Sequence, residues 1–133
     1  MNSPKTINSM LETVLRLKFC TLTFYDNYVI AVINEGEHID HEINQKLINI
    51  MDEHYERPYV YITHRINSYS VDPNIYPKTT TAKNLAGFAV VSDDYISKNN
   101  AKIERLFFGK PFEIFTELDD AITWAKKLIE KGS

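Results

Sequence analysis

The stretch Pro58-Tyr59-Val60-Tyr61-Ile62-Thr63-His64-Arg65-Ile66-Asn67-Ser68-Tyr69-Ser70-Val71-Asp72-Pro73 changes character in its middle. Tyr59 to Thr63 is β-branched and aromatic with no charge on either alternating face, which is how a strand buried on both sides reads. From His64 the chain turns polar, with Arg65, Asn67, Ser68, Tyr69, Ser70 and Asp72 following closely. A central strand that empties into a polar loop is where an open α/β sheet places its working surface.

Outward from this strand the chain alternates strands and helices. From Val14, apolar residues alternate with Arg16 and Lys18 through Leu22, predicting one long strand with a partly wet face. Asp26-Asn27 supplies a tight turn, and Val29 to Ile33 predicts an antiparallel partner strand. Gly36 marks the exit loop, and Asp40 caps a helix that carries Ile43, Leu47, Ile50 and Met51 on one stripe. That helix must end before Pro58. The strand of Tyr59 then lies parallel to that of Val29, because a strand–helix–strand crossover joins them.

Asp72-Pro73 opens a short, irregular helix expected to stop near Asn84. Leu85 to Val91 is a second wholly apolar strand, whose Ala86, Gly87 and Ala89 allow a backbone to approach closely. Ser92-Asp93-Asp94 leads into a helix whose clearest part is Ala101 to Phe108, ended by Gly109 and Pro111, and Phe112 to Phe115 is a short final strand. Thr116 and Asp119 resemble a capping box opening the last helix. The expected fold class is α/β: a five-stranded mixed sheet with mainly parallel strands, an N-terminal antiparallel hairpin strand and about four helices. Residues 1–11 read as a flexible tail and 12–133 as one domain.

Composition narrows function. The chain has 133 residues, 44% of them hydrophobic, enough for a core without disulfide or metal support. A net charge of −3 leaves no electrostatic footprint for nucleic acid. No apolar run approaches the roughly 20 residues that span a bilayer, and nothing near Met1 reads as a signal peptide, so a soluble cytoplasmic protein is expected. The single cysteine, Cys20, reads as a packing residue of an amphipathic strand.

Three chemistries compete for the polar loop. His38 and His41, among Glu37, Asp40 and Glu42, make at most a two-ligand metal site, and no metal is expected. His64, Ser68 or Ser70 and Asp72 have the residue types of a hydrolytic triad, yet no Gly-x-Ser-x-Gly turn surrounds either serine. Gly36, Gly87, Gly109 and Gly132 are scattered, so no phosphate loop or dinucleotide fingerprint exists and no cofactor is expected. Binding remains. His64, Arg65, Asn67, Ser68, Tyr69, Ser70, Asp72 and Tyr76 combine flat apolar surface with polar tips, suited to a protein partner or a small apolar ligand.

The same order of elements resembles the STAS domain of anti-sigma-factor antagonists and sulphate-transporter tails. It is more similar still to small bacterial STAS-like proteins that are also likened to the CRAL-TRIO lipid-binding fold. The resemblance rests on Asn34-Glu35-Gly36, Ile39-Asp40, Pro58 to Ile62, Leu85 to Val91 and Ala121-Ile122-Thr123-Trp124-Ala125. It implies a non-enzymatic regulatory or protein-interaction module; a carrier of a small apolar ligand or lipid is the alternative, and a Ser/His hydrolase, which rests on the residue types of the loop alone, comes third. In STAS antagonists an Asp-Ser-Ser/Thr-Gly loop is phosphorylated where Asn67-Ser68-Tyr69-Ser70 stands here, making Ser68 and Ser70 candidate phosphorylation sites. The acidic neighbour and the glycine of that motif are absent.

Overall fold

The structure, a computed structural model, describes residues 12–132; the tail expected over 1–11 lies outside them. Six strands form the main sheet in the order β1 (Thr13–Arg16), β2 (Cys20–Phe24), β3 (Tyr28–Ile33), β5 (Tyr59–His64), β7 (Leu85–Val91) and β8 (Phe112–Phe115). Between them run α1 (His41–His54), α2 (Tyr76–Thr80) and α3 (Tyr95–Arg105), and α4 (Leu118–Lys131) closes the chain. Two residues each of β4 (His38–Ile39) and β6 (Ser70–Val71) form a separate parallel ladder.

β3, β5, β7 and β8 are parallel, and β1 and β2 are antiparallel additions. One core joins the sheet to Leu47, Ile48 and Met51 of α1, Ile75 and Tyr76, and Ala101 of α3. The opposite face is covered by Ala121 and Ala125 of α4. Three helices therefore share one side of the sheet and one takes the other. Among the described residues no helix is long and apolar enough to cross a membrane.

The sheet has six strands where five were expected, because the strand read from Val14 folds back on itself. The Leu17 N–H donates to the Cys20 carbonyl at 2.8 Å, making Leu17 to Phe19 a turn. No glycine, proline or asparagine marks that turn locally. It is held from outside by Asn34, whose side chain donates to the Lys18 carbonyl at 3.0 Å and whose backbone donates to Phe19 at 2.9 Å. Cys20, Leu22 and Phe24 then face the core, and burial pushes the Cys20 thiol up to about 12. This matches its reading as a packing residue.

Caps decided the helix ends. Asp40 accepts from the Ile43 N–H at 3.0 Å, as expected, and Asp72 accepts from Asn74 at 3.0 Å ahead of a short 3-10 turn, Pro73–Ile75. α3 starts directly after Asp94, whose carboxylate accepts from the Ser97 N–H at 2.8 Å. It ends at Arg105, before the expected Phe108. The final helix is capped by Glu117 without a side-chain bond, while the Thr116 hydroxyl pairs with Lys98. The helix opened after Asp72 stops at Thr80, short of Asn84, whose side chain donates to the Tyr55 carbonyl at 3.1 Å.

The close approach expected at the small residues of β7 occurs at Gly87. A Cβ there would lie 2.5 Å from Leu128 Cδ2 of α4 and 3.3 Å from the Pro111 carbonyl. Gly87→Ala should therefore destabilise the fold by about 1–3 kcal/mol, against the usual gain from removing a glycine. A urea midpoint equal to or above wild type would contradict this packing.

Candidate functional site

The polar loop after β5 is pinned to the exit loop of β3. Gly36, at φ +81, lets the chain reverse so that its N–H donates to the Ser68 carbonyl at 2.7 Å. Ser70 N–H then donates to Glu37 and Asp72 N–H to Ile39, both at 3.0 Å, which builds the β4–β6 ladder. Side chains add to it. Asn67 donates to the Ile33 carbonyl at 2.9 Å, Ser68 N–H donates to Glu35 Oε1 at 2.8 Å, and His38 Nδ1 shares a 2.7 Å hydrogen bond with Ser70 Oγ. The two polar runs thus form one rigid edge.

Beneath that edge lies an ion pair. Arg65 donates through both terminal nitrogens to Glu104 of α3, at 3.0 and 2.5 Å, with side chains only 6% and 7% exposed. The Tyr76 hydroxyl donates to the same Glu104 oxygen at 2.5 Å. The Arg65 guanidinium sits 5.3 Å from the centre of the Tyr69 ring, whose hydroxyl bonds Thr63 at 2.7 Å. Burial alone would lower the arginine's pKa, but Tyr69 and the hydrogen-bonded Glu104 outweigh it, and it is raised. Tyr76 is pushed well above its ordinary range, first by burial and then by the Glu104 charge.

Above the pair a groove of about 900 Å3 opens between the loop and α3. Its walls carry Ile66 from the loop and Ile96 and Ile103 from the helix, which are 65%, 69% and 54% exposed. Glu35, Asp93 and Asp94 stand on its rim. Of the residues singled out in sequence, Arg65, Asn67, Ser68, Tyr69 and Ser70 line the groove, Tyr69 being half-buried. Tyr76 is 1% exposed and lies beneath the surface, and Arg65 is engaged by Glu104. His64 ends β5 half-buried, and Asp72 is occupied as a cap.

The groove's isoleucines and Glu104 were not foreseen. Ile96 and Ile103, seven residues apart, share one face of α3 and are exposed. The hydrolytic arrangement is not assembled: Ser70 bonds His38 instead of His64, and the Asp72 carboxylate is turned to Asn74. Between the sheet, α1 and α2 lies a cavity of about 30 Å3, lined by Leu47, Met51, Tyr61 and Phe88 among others. An apolar carrier would need roughly 300 Å3 or more.

No family model matches the chain, and no curated protein matches it. Among solved structures, similarity is found to the crystal structure of an uncharacterised protein from the DUF3478 family with a SpoIIAA-like fold, from Shewanella loihica PV-4. The identity is 12%, the TM-score 0.53, and the match covers 86% of this chain and 91% of that one. The fold is STAS-like. This agrees with the order of elements read from Asn34-Glu35-Gly36 through the Ala121 helix. Within a STAS-like frame, Asn67 to Ser70 is the loop after the central strand, and here it forms one wall of the groove.

Removing the Glu104 charge should leave a buried arginine uncompensated. Glu104→Gln is expected to cost about 3–5 kcal/mol, while Arg65→Met with Glu104→Leu and Tyr76→Phe should recover most of that loss. Denaturant melts showing a cost below about 1 kcal/mol for Glu104→Gln would remove the pair from its structural role.

Proposed function

We propose that the chain is a non-enzymatic STAS-like interaction module that binds a protein partner in the groove between Ile66–Ser70 and α3. The observation that supports this is the exposure of Ile66, Ile96 and Ile103 on facing walls of one groove. Apolar surface rimmed by polar groups marks interaction sites in soluble proteins. The charged groups behind it, Arg65 and Glu104, are buried and paired through both terminal nitrogens of the arginine, which favours a fixed scaffold over acid–base chemistry.

Ser68 and Ser70, both exposed, are proposed modification points on the same wall. A phosphate adds nearly two negative charges. At Ser68 it would stand beside Glu35, which already accepts from the Ser68 N–H, and Arg65 is not free to neutralise it. Phosphorylation at this position would therefore loosen the clasp between the two loops.

Ile66→Asp combined with Ile103→Asp places two charges in the groove at exposed positions, where stability should change by no more than about 0.5 kcal/mol. Tagged wild-type protein should retain a host partner that the double variant loses, with the same melting temperature. Equal capture by both would count against the groove as the binding surface.

A further inference from the structure

We infer that the groove receives a basic, amphipathic segment of the partner, helical, with apolar side chains two turns apart and Lys or Arg flanking them. This rests on the reading of the groove as the binding surface and names the chemistry that fits it. α3 turns Ala101 and Glu104 to the interior, while Tyr95, Ile96, Ile103 and Leu106 are exposed at 76%, 69%, 54% and 81%. Ile96 and Ile103 are two turns apart, about 10 Å along the axis. Ile66 on the opposite wall completes an apolar trough, the arrangement that accepts a helix through side chains at i, i+3 or i+4, and i+7.

Charge selects the sign of the occupant. The rim carboxylates are Glu35, Asp93 and Asp94, all exposed. The arginine lining the groove, Arg65, is neutralised by Glu104. Of the three cations of α3, Lys98 bonds Thr116 ahead of α4, Arg105 lies 3.9 Å from Glu113 on β8, and Lys102 is exposed outside the groove's lining. Asp94 also caps the N-terminus of α3, so that end offers no site to an anion. An acidic segment would meet three carboxylates and, among the groove's lining residues, no cation other than the paired Arg65. Two copies packed groove to groove would set the same carboxylates against each other. Lysine or arginine beside an apolar seam satisfies both the trough and its rim.

The test places a photoreactive p-benzoylphenylalanine at Ile103 in the full chain, expressed in its native host, and sequences the cross-linked peptide by mass spectrometry. A net-positive segment with apolar residues at helical spacing is expected. Its yield should fall at least about fivefold in Asp93→Lys, and several-fold as salt rises from about 50 to 300 mM. A neutral or acidic segment, or a yield indifferent to Asp93→Lys, overturns the inferred chemistry and leaves the groove as a binding surface. A cross-link to the chain's own sequence replaces the partner with a second copy and overturns it likewise. No cross-link from Ile103, in cells where the tagged protein still captures a partner, overturns the groove itself and this inference with it.

Discussion

A guanidinium and a carboxylate held under the surface of a small domain are tolerated only together, because stripping water from either alone costs several kcal/mol. Arg65 and Glu104 meet that condition through two hydrogen bonds, with Tyr76 satisfying the carboxylate further. The consequence is positional. Arg65 follows the last residue of β5, Glu104 lies in the last turns of α3, and Tyr76 begins α2. Three elements that are distant in sequence are thereby fixed to one point, each by a group that cannot leave without exposing a buried charge. α3 depends on this most, since it buries little apolar surface of its own apart from Ala101.

The groove follows from that constraint. A helix secured by a salt bridge need not turn its large apolar residues inward, and Ile96 and Ile103 remain on the outside. The facing wall is equally fixed, from the other direction, by the β4–β6 ladder and the Asn67, Ser68 and Ser70 side-chain bonds. Two rigid walls with exposed isoleucines give a preformed surface, which lowers the ordering cost of binding.

Local signals carried most of the fold. The apolar runs of β3, β5 and β7, the Asp40 and Asp72 caps and the close approach at Gly87 were all legible, because each depends on a few adjacent residues. The turn at Leu17 to Phe19 was not, since Asn34 makes it from a different part of the chain. The loop at Asn67 to Ser70 was recognised as a surface, yet its pairing with Gly36 to Ile39 is long-range and leaves no periodicity. Glu104 was hidden for a related reason: a glutamate within a charged helix reads as solvated unless its partner is known. Ile96 and Ile103 carried no signal of their exposure, because helical spacing alone does not say whether a stripe faces the core or solvent.

Amide hydrogen exchange on Glu104→Gln beside the wild type tests the dependence of the site on the pair most directly. Loss of the carboxylate charge should speed exchange in α3 and in residues 66–71 together, by about a hundredfold, corresponding to roughly 3 kcal/mol. β5 and β7 should keep most of their protection. Wild-type protection in α3, or an equal loss across every element, would show that the Arg65–Glu104 pair does not hold the groove's walls in place.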